Sequence, residues 1–354
     1  MNTMNIPVMS VSDIVKTLTL IYEGKIKAGE IPHIPAIFIW GPPGVGKSNG
    51  MHQLAEDLGK LCGVKVCVTD VRLLLFSPVD LRGVPVKQEE FTAWLKPKIF
   101  DMSDEEGVVN LLFLDELSAA PQSVQAAAYQ LCLDKKIGEH KLPENTIVVA
   151  AGNRLSDQSV SFKMPKALCN RFLHFEAKCD HASWHKWAVK AAIDPRVISF
   201  IAYNEERLEV VPDSADLAYP TPRSWEFVSR VISGNEDIDT LTPIVAASVG
   251  MDTALEFATY CKGIMKMPNV EEIFSGMCRE IPRSYDVMHA LVTSLVSRVA
   301  RRGATREELT NLCNYAVKMP PDFAYCLATD LNLIPGISEK LMMCPSYGKL
   351  MIKK

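Results

Sequence analysis

Apolar residues in the first half of the chain come in short unbroken runs, each closed by turn residues or a charge. Ala36-Ile-Phe-Ile-Trp40 stops at Gly41-Pro42-Pro43, and similar runs return at 64–70, 109–114, 147–151 and 172–176. A run of four to eight residues closed in this way suits a strand buried on both faces. Between the runs the apolar spacing becomes helical. Met51, Leu54, Ala55 and Leu58 fall at i, i+3, i+4 and i+7, with Gly59 as the expected stop. Val124, Ala127, Ala128 and Leu131 repeat the pattern, and Pro121 suits a first helical turn. Ahead of the first run, Ser10 and Asp13 predict the cap of a helix with Ile14, Thr17, Leu18 and Ile21 on one face. Strands alternating with helices predict an α/β fold whose parallel sheet, here of five strands, lies between helices.

Beyond about residue 177 the buried-strand runs become rare. Helical patterns predominate at 184–192, 223–232, 243–265, 285–301 and 306–318. The expected organisation is an α/β domain over 1–179, interrupted by an insert at about 71–100, and an all-α region over 180–354. No internal repeat or low-complexity segment interrupts either part.

Composition narrows the function classes. With 354 residues, 48% apolar and 23% charged, the chain has material for about two domains with ordinary cores. A net charge of −4 announces no basic face, so a nucleic-acid partner is not expected. No apolar run approaches the ~18 to 20 residues that span a bilayer, so no membrane span is expected. The opening ten residues lack a basic segment followed by an apolar core, and no signal peptide is expected. Ten cysteines show no C-x-x-C pair and no Cys/His ligand spacing. They read as reduced, mostly buried thiols, and the expected compartment is the cytoplasm.

The chemistry is concentrated at the ends of the strand runs. Gly41-Pro42-Pro43-Gly44-Val45-Gly46-Lys47-Ser48 fits G-x-x-x-x-G-K-[ST] without a gap, between a strand and a helix that opens through Asn49. Glycines in such a loop let several N–H groups turn inward around phosphates, and the helix N-terminus adds positive potential. Lys47 is the expected contact to the β/γ-phosphates of ATP, and the Ser48 hydroxyl an expected Mg²⁺ ligand. Asp115 and Glu116 end the run 109–114, 68 residues after Lys47. Asp115 is suited to hold Mg²⁺ through a water, and Glu116, pointing the other way along the pleat, to polarise an attacking water. Asn153, at the tip of 147–151, is placed to orient that water.

Phosphate loop, acidic pair, strand-tip Asn and a following basic residue resemble the AAA+ ATPases. Within them the chain is similar to the MoxR branch, on Ser77-Pro-Val-Asp-Leu-Arg-Gly-Val-Pro85, Gly138-Glu-His-Lys-Leu-Pro143, Ala151-Gly-Asn-Arg154 and Thr221-Pro-Arg-Ser-Trp-Glu226. The resemblance spans roughly 30–230. It implies an AAA+ core with an all-α lid, ATP hydrolysis with Mg²⁺, and self-association into a ring, six-membered by the family's habit. It also implies a partner carrying a von Willebrand factor A domain. This chain has no D-x-S-x-S metal-adhesion motif, so that domain would come from a separate protein.

The resemblance further implies that Arg171, after Met164-Pro-Lys-Ala-Leu-Cys-Asn170, is an arginine finger for the neighbouring subunit's ATP, with Arg154 a competing candidate. Arg223 resembles the second sensor, which touches the γ-phosphate, while Trp225 beside it is expected to pack. Arg283, in a look-alike Ile-Pro-Arg-Ser284, falls too far along the chain. Arg82, Phe91 and Trp94 in the insert are candidates to grip a partner, or else Phe91 and Trp94 pin the insert to the core. Two other classes share this core: a nucleic-acid motor and a non-hydrolysing nucleotide-gated scaffold. Strongly salt-dependent DNA binding would favour the first; an intact Glu116 speaks against the second.

Overall fold

Each predicted apolar run is a strand in the computed structural model, which describes residues 5–154, 157, 162, 164–210, 216–235, 237–264 and 267–351. The chain divides into two compact units, one up to Lys178 and one from Cys179 onward.

In the first unit the chain runs β1 (Val8–Ser10), α1 (Val11–Lys27), β2 (Ala36–Trp40), α2 (Lys47–Cys62) and β3 (Lys65–Arg72). It continues through α3 (Pro78–Arg82), β4 (Val84–Gln88), β5 (Phe91–Leu95), β6 (Val108–Asp115) and α4 (Gln122–Asp134). β7 (Lys136–Ile137), β8 (His140–Lys141), β9 (Thr146–Gly152), α5 (Lys166–Cys169) and β10 (Phe172–Lys178) complete it. Six strands form one sheet in the order β1-β10-β2-β9-β6-β3, and every neighbouring pair is parallel. The sheet thus has one strand more than expected. β1 has only three residues and is made by pairing Val8–Ser10 with Glu176–Lys178.

The pleat of β2 explains the two cores. Ala36 and Phe38 face α4, together with Leu112, Leu114, Val148, Ala150 and Phe172. Ile37 and Ile39 face α1 and α2, with Leu111, Phe113, Ile147 and Val149. Each such side chain, once fully buried, contributes about 1.5–3 kcal/mol. Ser10 does cap α1, accepting from the Asp13 N–H at 3.1 Å. The buried face of that helix is Ile14, Val15, Leu18, Thr19 and Tyr22; Ile21 is exposed, because the stripe turns toward the sheet one residue away from the predicted one. Helix α2 runs past Gly59 to Cys62 and stops at Gly63, which takes the left-handed conformation at φ 67°. Pro121 is the N-cap of α4 rather than its first helical residue.

The insert carries the antiparallel hairpin β4–β5 behind α3. Leu73, Leu81 and Phe100 are fully buried in the α4-side core and anchor it. Phe91 is 61% exposed, so it is not the pin; Trp94 is half-buried and Arg82 exposed.

The second unit is helical among its described residues: α6 (His181–Lys190), α7 (Pro195–Tyr203), α8 (Pro222–Ile232), α9 (Ile238–Val249), α10 (Met251–Gly263) and α11 (Val270–Phe274). α12 (Tyr285–Arg302), α13 (Arg306–Ala316), α14 (Pro321–Asn332), α15 (Ser338–Met342) and α16 (Tyr347–Leu350) follow. The single helix expected over 243–265 is two, broken at Gly250, where φ is 82°. Trp225 packs as expected: it is fully buried and donates from Nε1 to the Arg207 carbonyl at 2.7 Å. All ten cysteines are free, but only four are buried, fewer than expected. No helix among the described residues is long and apolar enough to cross a membrane.

Candidate functional site

Strands β2, β6 and β9 are central and parallel, so their C-terminal ends bring the loops after Trp40, Asp115 and Gly152 to one edge of the sheet. That edge is where ligands bind in open α/β sheets. Gly44 and Gly46 sit at φ 81° and 97°, conformations that side chains resist. Gly46 is also the N-cap of α2 and offers no side-chain acceptor. The N-terminus of α2 at Gly46 thus has no side-chain cap, and a helix N-terminus of this kind presents N–H groups and positive potential to an anion. Asn49 itself is exposed.

Lys47 is buried, 8% exposed. Its ammonium donates to the Gly41 carbonyl at 2.7 Å, the Pro42 carbonyl at 2.9 Å and Asn153 Oδ1 at 3.2 Å. The structure therefore brings Asn153 to Lys47, a contact that strand-tip position alone did not indicate.

The Ser48 hydroxyl donates to Asp115 Oδ2 at 3.0 Å, so two oxygen donors stand together beside the loop. Asp70 on β3 adds negative charge. Its carboxyl is pushed above the ordinary range, first by the protein crowding it and then by the charge of Asp115. A hard divalent cation fits this crowding of oxygen and negative charge. Among the described residues no group of three or more His, Cys, Asp or Glu converges on a metal position. Mg²⁺, when bound, keeps several waters and takes substrate phosphates as partners, so one or two protein oxygens suffice to hold it.

Glu116 departs from the expected pleat. β6 ends at Asp115, and Glu116 lies in the left-handed region at φ 57°, where a non-glycine residue costs of order 1–2 kcal/mol. Its N–H donates to Asp115 Oδ1 at 2.9 Å, and its carbonyl takes the Ala119 N–H at 3.0 Å. The half-buried side chain is thus aimed by a tight turn rather than by strand alternation.

Ser118, fully buried, was not foreseen. Its hydroxyl accepts from the Asn153 N–H at 2.9 Å and donates to the Asn153 carbonyl at 3.0 Å, fixing the backbone of the strand tip. Beside it Gly152 has no room for a side chain: a Cβ would stand 2.5 Å from Ser118 Oγ and 2.9 Å from Phe38 Cζ. Gly152→Ala should accordingly destabilise the fold by about 1–3 kcal/mol, read as a lower denaturation midpoint with an unchanged slope. An unchanged midpoint would mean that Ser118 and Phe38 move aside freely.

The three arginines separate. Arg154, the competing finger, is held by Asp157 and by Glu176 on β10. Arg171 lies over the Tyr129 ring, 4.3 Å from its centroid, and donates to the Ala167 carbonyl. It immediately precedes Phe172, which pairs with Ala36 at the start of β2. Arg171 therefore sits at the opposite end of the sheet from its own phosphate loop, about 13 Å away along the strand. Arg223 is exposed in the first turn of α8, whose Thr221–Ser224 capping box fixes that turn.

Comparison with known proteins agrees with this geometry. Residues 37–177, from β2 nearly to the end of β10, match the family model described as "ATPase family associated with various cellular activities (AAA)". Over this stretch the chain has the fold of that family, a parallel sheet flanked by helices and followed by a helical part, and the family implies nucleotide binding. No curated protein matches the chain. Among solved structures it is similar to a point mutant of Thermotoga maritima RuvB at 19% identity and TM-score 0.39, covering 84% of this chain and 86% of that one. It is similar to C. elegans PCH-2 at 17% and 0.35, covering 72% and 67%. A putative ATPase from Cytophaga hutchinsonii follows at 15% and 0.31, covering 85% and 84%. At such scores these likenesses carry no argument about function.

Proposed function

We propose that the AAA domain of this chain binds ATP with Mg²⁺ and hydrolyses it at interfaces between copies arranged in a ring. In this reading the turnover remodels or activates a protein partner, as in the MoxR branch, and the partner carries a von Willebrand factor A domain.

The observation that carries the reading is the division of groups between the two ends of one sheet. Lys47, the Ser48–Asp115 pair, Glu116 and Asn153 gather at the end that takes phosphates. Arg171 stands at the other end, out of reach of its own loop. A guanidinium is matched to phosphate oxygens, and from there the phosphates it can serve are those of a neighbouring copy.

Each group has a distinct task. The loop N–H groups and Lys47 hold the phosphates. Ser48 and Asp115 supply protein oxygens to Mg²⁺, which when bound offsets charge on the phosphates. Glu116 takes a proton from the attacking water, and Asn153 keeps the strand tip in register with Lys47. Arg171 completes the adjoining subunit's site. Arg223 reports nucleotide state to the helical unit.

Arg171→Ala should keep nucleotide affinity and lose turnover by about 10³-fold or more. Mixing it with Glu116→Gln subunits should restore activity, because an Arg171→Ala subunit beside a Glu116→Gln subunit has one complete site. Mixtures as inactive as either parent would count against a finger acting between copies.

A further inference from the structure

His174 stands near the middle of β10, in register with Phe38, and uses both ring nitrogens. Trp40 donates from Nε1 to His174 Nδ1 at 3.0 Å, and His174 Nε2 lies 2.7 Å from the Cys169 carbonyl. An indole nitrogen only donates and a carbonyl only accepts. The neutral tautomer protonated at Nε2 satisfies both partners at once.

The two partners belong to the two halves of the proposed machinery. Trp40 is the last residue of β2 and leads directly into Gly41, whose carbonyl takes the Lys47 ammonium and whose N–H donates to Gly152. Cys169 ends the four-residue helix α5, and Arg171 follows two residues later. The last carbonyls of a helix lack partners within it. In α5 they are taken by Arg171 itself, whose side chain bonds Ala167 and whose N–H bonds Leu168, and by His174 at Cys169.

We propose that His174 is a positioning residue that ties the finger-bearing segment 166–171 to the end of the phosphate-loop strand, so that Arg171 is presented at a fixed height to the neighbouring subunit. The proposal rests on the reading of Arg171 as a finger. Packing alone does not require an imidazole at this position. Phe38, Trp40 and Phe172 surround His174 with ring centroids 5.8, 6.1 and 6.0 Å away, and a phenylalanine would fill the same aromatic cluster without the two hydrogen bonds.

The test uses the full chain and measures steady-state ATP turnover beside equilibrium ADP binding. His174→Phe should lower kcat about 10- to 100-fold, the effect of slightly misplacing a catalytic group, with ADP affinity unchanged. His174→Gln should recover most of that loss, since its amide can accept from Trp40 and donate to Cys169. In an Arg171→Ala background His174→Phe should cost nothing more, because the two residues act as one unit.

Full additivity of the two losses, or an unchanged kcat in His174→Phe while Arg171→Ala is inactive, overturns the proposal and leaves the finger reading standing. An Arg171→Ala variant with normal turnover overturns both. Should His174→Phe fail to fold, Trp40→Phe removes the same hydrogen bond from the other side, and the same comparisons apply to it.

Discussion

Glu116→Gln will bind ATP·Mg²⁺ as well as the native chain and hydrolyse it about 10²- to 10⁴-fold more slowly, the usual contribution of a positioned general base. Gln fills the same volume and keeps the turn that follows β6, because that turn is held by backbone groups and Asp115 Oδ1 rather than by the Glu116 carboxylate. Only the ability to accept a proton is lost. The left-handed backbone at Glu116 supports this reading: a residue that strains its own turn is kept for chemistry more readily than for folding. Single-turnover measurements separate the steps. Turnover above a tenth of native would show that another group activates the water.

Lys47→Ala should weaken ATP·Mg²⁺ binding about 10- to 100-fold, the loss of one charge-assisted hydrogen bond of about 1.5–3 kcal/mol. The substitution also takes the donor away from Gly41, Pro42 and Asn153, whose oxygens now converge on the ammonium. Asn153 should then loosen even without nucleotide. Calorimetric titration reads the affinity directly, and an unaltered dissociation constant would remove Lys47 from the phosphate site.

Much of the core was legible because strands buried on both faces leave unbroken apolar runs, and the five runs are the five long strands of the sheet. β1 left no such mark, since three residues become a strand only where β10 offers them an edge. That Lys47, Ser48, Asp115 and Asn153 share one edge of the sheet was legible, because each was read at the end of its own strand run. Their second partners were not. Ser118, Glu176 and His174 act through contacts across 22 to 134 positions of sequence, which no local pattern encodes. Asn153 shows the same limit: its place at a strand tip was readable, but its contact with Lys47 depends on β2 and β9 being neighbours. The break at Gly250 was hidden because apolar spacing continues on both sides of it.

β3 is the outer strand of the sheet on its side, eight residues long with one flank open among the described residues. An open flank of that length is a template for pairing with another chain. Lys65, Asp70 and Arg72 are exposed along it, and the chain turns away into the insert immediately afterwards. Charge on that flank discourages sheets of adjacent copies from zippering into one continuous β-structure. The border of the sheet thus acts as a guard against aggregation wherever copies of the chain meet at high local concentration.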